Sequence, residues 1–354
     1  MDNKITYHEQ NDIDNTLKLR EVLKTLPPFC RDYFRAIDAT TTTKTRISYA
    51  YDIRIFFQFL LEQNPMFKDK TMSDFTVDVL DQIKAVDLEE YEEFLKVYKS
   101  ADSSKTETNG ERGVKRKISA LRSFYAYYYR HEMITTNPSV LIDVPKIHDK
   151  SIIRLDTDEV ALLLDYIEHC GDTLTGQKRM YYEKTKDRDL AIVTLLLGTG
   201  IRVSECVGLD IKDVDFKNNG ITVTRKGGNQ MVVYFGDEVA GALENYITGD
   251  REAATPLSGH EQALFLSTQR KRMGVQAVEN MVKKYARQVT PNKKITPHKL
   301  RSTYGTSLYK ETGDIYLVAD VLGHKDVNTT KKHYAAIDDN RRRKAASAVK
   351  LREL

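Results

Sequence analysis

Apolar residues recur every three or four positions over long stretches of the chain, which is the spacing of an amphipathic helix. This pattern predicts helices over about residues 44–63, 88–98 and 113–131, after a first 40 residues that look helical but are weakly patterned. Residues 100–112 are polar and turn-forming, which predicts a flexible loop before the third of these helices.

The periodic pattern is interrupted near the middle of the chain. Pro138 and Pro145 follow Asn and Val, and a residue before proline is disfavoured in a helix. The stretch that follows is polar as far as Ser151, and new helix-capping chemistry begins at Asp156. We therefore predict a helical domain over 1–145, a linker over 146–152 and a second domain over 153–354.

The second half contains the only clear strand signals. A helix is predicted over 187–197, and its segment 190–197 is nearly all apolar, which predicts that it is buried. Residues 221–224 and 231–235 are rich in Val, Ile and Thr, and they flank a glycine-containing turn, which predicts a β-hairpin. The remainder reads as helical. The predicted fold is therefore mainly α with a small antiparallel β-sheet.

Composition narrows the class of protein. With 40% hydrophobic residues in 354, the chain can fill a sizeable core, which excludes a mainly disordered protein. No apolar run approaches the roughly 18 residues that a membrane span needs. Cys30, Cys170 and Cys206 are scattered and match neither a disulfide framework nor a zinc site. No export signal is recognisable at the N-terminus, so we expect the cytoplasm.

The net charge of +4, from 55 basic and 51 acidic residues, says little unless the basic residues gather on one face. Two predicted helices carry basic residues away from their apolar stripes, and the second also interleaves aromatic residues. Two interpretations stay open: a solvated face over a core stripe, or a face that binds DNA. The residues concerned are Lys44, Arg46, Lys115, Arg116, Lys117 and Arg122.

Four short motifs of the second half carry candidate chemistry. In chain order they are Gly200-Ile-Arg202-Val-Ser-Glu205, Lys226 at the tip of the hairpin, His298-Lys-Leu-Arg301, and Leu322-Gly-His324 followed by Tyr334. Each alone is an ordinary surface or packing feature. Their order, spacing and flanking residues together are distinctive.

On these motifs, residues 155–340 resemble the catalytic domain of the tyrosine recombinase (phage integrase) family. Within the family, the chain looks most like the Xer-type recombinases, particularly those that work without a paired partner. The resemblance implies a two-domain, C-shaped clamp, in which a helical core-binding (SAM-like) DNA-binding domain precedes an α+β catalytic domain. The resemblance of residues 1–145 rests on helix pattern and position alone.

The resemblance also implies a role for each motif residue. Arg202 and Arg301 would clamp the phosphate, because guanidiniums are always charged and donate as rigid forks, and His324 would add a hydrogen bond. Lys226 would protonate the leaving 5′ oxygen, His298 would act as general base, and Tyr334 would be the nucleophile. Glu205 would orient Arg202. The implied chemistry needs neither metal nor ATP, so we expect no cofactor.

The sequence departs from the family pattern at a few positions. Ser302 follows Arg301 where many relatives have His, and Arg225 precedes Lys226 where Gly is frequent. The span from His324 to Tyr334 is one residue longer than in the paired Xer proteins. Three further tyrosines lie between the motifs, and we interpret them as packing residues: Tyr304, Tyr309 and Tyr316.

The implied partner is double-stranded DNA with an inverted-repeat core site, bound by a dimer per site and a homotetramer on two sites. The C-terminal segment would then be a basic helix that docks into a neighbouring protomer. An accessory protein and association with the nucleoid would fit this role. Chromosome dimer resolution and integration or excision of a mobile element both stay open. The alternatives are a catalytically inactive DNA-binding protein on this fold and a type IB topoisomerase.

Overall fold

The computed structural model describes residues 6–99, 105–148, 153–225, 227–324 and 326–327. The chain divides into two compact units, Met1–Asp149 and Lys150–Leu354. This division falls inside the range predicted for the linker, and the bounds of the linker itself stay a prediction. In the described part, no helix is long and apolar enough to cross a membrane.

The N-terminal unit is built from helices and one short ribbon. Its helices are α1 (Tyr7–Lys24), α2 (Cys30–Ala36), α3 (Thr43–Gln63), α4 (Val79–Gln82), α5 (Ala85–Lys96) and α6 (Glu111–Arg130). The ribbon pairs β1 (Val97–Lys99) with β2 (Thr106–Thr108). The helices α3, α5 and α6 lie within three residues of the predicted bounds, so the apolar periodicity located them correctly.

Aromatic side chains form the core of this unit. Phe57 of α3 contacts Phe124 of α6 edge to face, with ring centroids 6.2 Å apart, and Tyr33 of α2 contacts Phe124 at 5.2 Å. All three are fully buried. Aromatic pairs in this geometry stabilise a core beyond the area they bury, so the apolar stripes of α3 and α6 meet at these rings.

The prediction of a loop over residues 100–112 was wrong in the middle of that range and at its C-terminal end. Thr106, Glu107 and Thr108 form β2, which pairs antiparallel with β1, and α6 already begins at Glu111. All three residues of β2 are exposed. An exposed strand shows no alternation between apolar and polar residues, so the sequence carried no signal for it.

The C-terminal unit contains the larger sheet and eight helices in its described part. The helices are α7 (Thr157–His169), α8 (Gly176–Glu183), α9 (Lys186–Thr199), α10 (Val203–Gly208), α11 (Asp237–Tyr246), α12 (Val275–Val289), α13 (Pro297–Thr312) and α14 (Ile315–Leu322). The strands are β3 (Val214–Asp215), β4 (Gly220–Thr224) and β5 (Gln230–Tyr234). A π-helical turn, Ile247–Arg251, follows α11.

Helix α9 is the centre of this unit. It packs against α7, α11 and α13, and most of its residues are buried, as its apolar sequence predicted. Two charged residues are buried with it: Arg188 donates to Asp189 at 2.6 Å and to the carbonyl of Leu266 at 2.9 Å. Tyr285 of α12 donates to the other carboxylate oxygen of Asp189 at 3.0 Å. Buried charges that are paired in this way fix how α9 and α12 pack.

The predicted hairpin is confirmed, and it belongs to a three-stranded antiparallel sheet. The strand order is β3-β4-β5, and Ile221 pairs with Val233. The amide of Arg225 donates to the carbonyl of Asn229 at 2.7 Å, and the amide of Gly228 donates to the carbonyl of Arg225 at 3.0 Å. Both backbone groups of Arg225 therefore close the turn that follows β4.

Candidate active site on the last turn of α14

The first predicted arginine lies where α9 turns into α10. Gly200 ends α9 with a φ of 63°, a left-handed conformation that favours glycine, and any Cβ there would overlap the ring of Tyr304. Arg202 follows as the N-cap residue of α10. The turn therefore places Arg202 at the start of a new helix, as the Gly-x-Arg spacing predicted.

Glu205 accepts hydrogen bonds from both the backbone and the guanidinium of Arg202. One carboxylate oxygen accepts from the Arg202 backbone amide at 2.8 Å, and the other accepts from its Nη1 at 2.7 Å. The Glu205 side chain is 3% exposed, whereas that of Arg202 is 37% exposed. A buried carboxylate thus orients a guanidinium that still reaches the surface, and Arg202 Nη2 donates to the carbonyl of Gly323 at 3.3 Å.

The second predicted arginine, Arg301, lies on α13, which begins at Pro297 behind its N-cap residue Thr296. The Arg301 side chain is buried and bridges two other segments. Its Nη1 donates to the carbonyl of Gly200 at 2.6 Å, and its Nη2 donates to the carbonyl of Leu322. Arg301 therefore ties the end of α9 to the end of α14.

A third arginine, Arg225, joins the other two. Its Nη2 donates to the carbonyl of Val321 at 2.8 Å. The carbonyls of Val321, Leu322 and Gly323 are successive, so each accepts from a different arginine in the last turn of α14. We call Arg202, Arg225 and Arg301 the guanidinium cluster. The carbonyl end of a helix carries partial negative charge and favours cations.

Gly323 makes this arrangement sterically feasible. It caps α14 with a φ of 60°, and a Cβ at this position would overlap the Nη1 and Cζ atoms of Arg225. The Arg225 guanidinium therefore lies against the Cα of Gly323. The glycine of the Leu-Gly-His motif serves two purposes: it adopts a left-handed backbone and it leaves room for Arg225.

The two predicted histidines lie on the segments that carry this cluster. His324 directly follows Gly323, is half-buried, and its amide donates to the carbonyl of Ala319 at 2.9 Å. His298 is exposed in the first turn of α13, three residues before Arg301. The structure thus brings Arg202, Arg301 and His324 to one helix end.

Lys226 and Tyr334 lie outside the described residues, so their predicted roles stay predictions. The competing tyrosines differ in placement. Tyr304 packs beside Gly200 and Tyr309 is buried, as predicted. Tyr316 is 71% exposed, so its interpretation as a packing residue was wrong. The buried residues of α14 are Val318, Ala319 and Leu322, so Tyr316 lies away from its buried face.

Sequence reasoning missed Arg225. Burial lowers the pKa of its guanidinium, the neighbouring charge of Arg202 lowers the pKa further, and Glu205 and Asp320 act in the opposite direction. Its only sequence signal was the presence of Arg beside Lys226 where the family pattern often has Gly. No cluster of three or more His, Cys, Asp or Glu side chains that could hold a metal ion occurs in the described ranges.

Some of the basic residues of the N-terminal unit keep the exposure that a DNA contact needs. Lys44 and Lys115 are exposed. The Arg116 side chain is 48% exposed, although its Nη1 and Nη2 both donate to the buried carboxylate of Asp52, the latter at 2.8 Å. These three residues remain available at the surface of α3 and α6.

The other three basic residues make internal contacts, and that they face DNA stays a prediction. Lys117 is buried and its Nζ donates to Asn109 at 2.8 Å. Arg122 donates to the carbonyls of Ser139 at 2.9 Å and Ile142 at 2.6 Å. The Arg46 side chain is 14% exposed and pairs with Asp38 at 2.5 Å. Their side-chain N–H groups donate to acceptors that lie elsewhere in the N-terminal unit.

Comparison with known proteins places this geometry in a family. The family described as phage integrase matches residues 154–341. The tyrosine recombinase XerC of Caldanaerobacter subterraneus subsp. tengcongensis is 31% identical over 345 residues, covering 94% of this chain and 89% of the relative. The tyrosine recombinase XerS of Streptococcus uberis is 29% identical over 349 residues, covering 92% and 96%.

Solved structures show the same fold. The XerH recombinase bound to its palindromic difH substrate, in a post-cleavage complex, superposes with a TM-score of 0.65 at 19% identity, covering 98% of this chain and 91% of that one. The Tn1549 transposon integrase in complex with transposon right end DNA gives 0.64 at 21% identity, covering 90% and 99%. The predicted fold class is thereby confirmed. With its sequence motifs, its fold and its relatives in agreement, the chain belongs to the phage integrase family and is a Xer-type tyrosine recombinase.

Proposed function

We propose that this recombinase cleaves one strand of duplex DNA at a specific site, with Tyr334 as the nucleophile, and rejoins it to another strand through a Holliday junction. The observation that carries the proposal is the convergence of Arg202 and Arg301, beside His324, on the last turn of α14. Two fixed guanidiniums next to a half-buried histidine are suited to bind the non-bridging oxygens of a phosphodiester.

The proposed step balances as a simple displacement. The Tyr334 hydroxyl attacks phosphorus, its proton passes to His298, and a bond forms between the tyrosine oxygen and phosphorus. The bond from phosphorus to the 5′ oxygen breaks, and Lys226 protonates that oxygen. The products are a 3′-phosphotyrosine and a free 5′ hydroxyl. Because the phosphotyrosine conserves the bond energy, attack by another 5′ hydroxyl reverses the step without ATP.

The guanidinium forks act where charge develops. The pentacovalent transition state carries more negative charge on its non-bridging oxygens than the ground state, so donors that are already in place favour it selectively. Glu205 keeps Arg202 in one orientation through two hydrogen bonds. Arg301 is fixed by two carbonyls from different helices. Each side chain is therefore held in one place before the phosphate binds.

DNA is the proposed partner of both units. The relatives XerH and the Tn1549 integrase were solved bound to DNA substrates, and their coverage of this chain supports the same mode of binding. We propose that Lys44, Lys115 and Arg116 contact the phosphate backbone, because their side chains are exposed. Recognition of an inverted-repeat site by a dimer, and strand exchange within a homotetramer, with an accessory protein, are part of the same proposal.

The names of the relatives support two candidate cellular roles. The tyrosine recombinases XerC and XerS match more than nine-tenths of this chain, which favours a Xer-like role in resolving chromosome dimers at the nucleoid in the cytoplasm. The Tn1549 integrase supports the second candidate, integration and excision of a mobile element, because it matches the same two units. Deletion of the gene separates these roles: dimer resolution predicts a defect in chromosome segregation.

A covalent capture experiment tests the proposed chemistry. The full chain is incubated with nicked duplexes whose centres are randomised, and duplexes that become covalently attached are isolated and sequenced. We expect the native chain to form an adduct and Tyr334→Phe to form none. Tyr316→Phe is the matched control, because Tyr316 is exposed in the same part of the chain, and it should form the adduct normally.

Each alternative predicts a different outcome, either in this experiment or in a parallel assay with a supercoiled plasmid. An adduct that persists in Tyr334→Phe and disappears in Tyr316→Phe would reassign the nucleophile. Specific binding without any adduct would identify a catalytically inactive DNA-binding protein. Relaxation of a supercoiled plasmid without recombinant products would identify a type IB topoisomerase.

A further inference from the structure

The guanidinium cluster gathers three positive charges at the end of one helix. Arg202, Arg225 and Arg301 converge on successive carbonyls, and consecutive residues of a helix rise only about 1.5 Å each along its axis. Among the described residues of this unit, the buried acids are Asp189 and Glu205, and Asp189 already pairs with Arg188. Glu205 is then the one buried carboxylate available to three cations.

Arg225 also has donors with no acceptor in the described part of the chain. Its Nη2 donates to Val321, whereas its Nε and Nη1 are buried and have no hydrogen-bond partner among the described residues. A buried N–H group without an acceptor destabilises the folded state. Burial lowers the pKa of this guanidinium, although the charges of Glu205 and Asp320 oppose the shift. The missing component is an anion with several acceptor oxygens.

A phosphodiester supplies such an anion. Its two non-bridging oxygens offer more acceptor positions than Arg202 and Arg301 can use in the orientations they have here, since each already donates to carbonyls. In the pentacovalent transition state, the phosphoryl group carries two negative charges, so a further positively charged donor stabilises it.

From this geometry we propose that Arg225 is a third phosphate-binding arginine of the active site, whose Nη1 donates to a non-bridging oxygen of the scissile phosphate. The inference rests on the proposed function and extends it to a residue outside the motifs of the sequence. The hydrogen bond from Arg225 Nη2 to the carbonyl of Val321 and the absence of a side chain at Gly323 orient the Arg225 guanidinium.

A charge-removal cycle tests the contact without requiring cleavage. In the Tyr334→Phe background, binding is measured for the duplex recovered by covalent capture and for the same duplex with a neutral methylphosphonate at the scissile position. Arg225→Gln should weaken binding of the phosphodiester by about 10- to 100-fold, as expected for a hydrogen bond to a charged group. For the methylphosphonate duplex, the same substitution should lower the affinity by less than about threefold, because the negative charge that Arg225 would bind has already been removed.

Control variants separate this contact from other causes. Arg225→Lys, which keeps the charge but not the fork, should recover part of the loss. Arg179→Gln removes an exposed arginine of α8, and its effect should be the same on both duplexes. Thermal unfolding and circular dichroism establish that each variant is folded.

Equal losses for Arg225→Gln on the two duplexes would overturn the proposal and leave Arg225 a purely structural residue. This result is independent of the nucleophile. A native chain that forms no covalent adduct would refute the proposed function, whereas an adduct in the native chain combined with equal losses would refute only the role of Arg225.

Discussion

Replacing Gly323 by Ala adds one methyl group at the point where the guanidinium cluster meets α14, and its cost can be estimated from two contributions. The first is backbone strain: Gly323 has a φ of 60°, and a residue with a Cβ loses roughly 1–2 kcal/mol in the left-handed region. The second is displacement of Arg225, since the new Cβ would overlap its guanidinium. Moving that group breaks its bond to Val321, worth about 1.5–3 kcal/mol for a charged donor.

A second glycine of the same unit isolates the first contribution. Gly176, at the start of α8, has a φ of 57°, and a Cβ there meets nothing within 4 Å. Gly176→Ala should therefore cost only the strain, about 1–2 kcal/mol. We expect Gly323→Ala to cost about 2.5–5 kcal/mol, the sum of the two contributions. Urea denaturation of the full chain, followed through the transition of the C-terminal unit, measures both.

The Arg225→Ala background completes the test. Without the guanidinium, Gly323→Ala should lose its second contribution and cost the same as Gly176→Ala, about 1–2 kcal/mol. Equal costs for the two glycine variants in the native background would refute the packing of Arg225 against Gly323. A cost at Gly323 that does not change when Arg225 is removed would refute it as well.

Two further predictions concern the N-terminal unit. Lys44→Ala and Lys115→Ala should each weaken DNA binding and lower the slope of log affinity against log salt by about one, because each removes one exposed phosphate contact; unchanged slopes would place both residues off the DNA. Burial raises the pKa of Asp52 to about 6, against the opposing charges of Arg116 and Lys117. The folded chain therefore keeps this proton at pH values where the unfolded chain has released it. The free energy of unfolding should fall by up to about 3 kcal/mol as pH rises from about 4 to 6, and it should stay level above pH 6. Asp52→Asn should abolish this pH dependence. Hydrogen exchange of the α3 amides, followed as a function of pH, measures the free energy of unfolding. A free energy that rises between pH 4 and 6 would refute the prediction.

The elements that sequence reasoning located best are those whose signal is local. Apolar periodicity predicted α3, α6 and α9 because each buries one continuous face or is buried throughout. The hairpin was predicted because β-branched residues flank a glycine turn. Each of these patterns is contained within about 20 residues of chain, which is the range over which the hydrophobic pattern of one element can be read.

The features that sequence reasoning missed depend on partners far along the chain. Arg116 meets Asp52 and Arg122 meets Ser139 and Ile142, so a helix that looks like a free basic face is partly neutralised by its own unit. Likewise, motif order identified Arg202 and Arg301, but their meeting at one helix end is a product of tertiary packing. Arg225 joins them from a strand end that no spacing rule connects to α14.

The three carbonyls at the end of α14 have a consequence for how variation at this site is interpreted. The arginines that would bind substrate are also the donors that satisfy the last turn of a helix. A library of random variants selected only for a folded, protease-resistant chain would therefore retain arginine at these positions, even without any demand for recombination. Mutational tolerance at Arg202, Arg225 and Arg301 thus measures foldability and chemistry together, and only substrates with altered phosphates can separate the two.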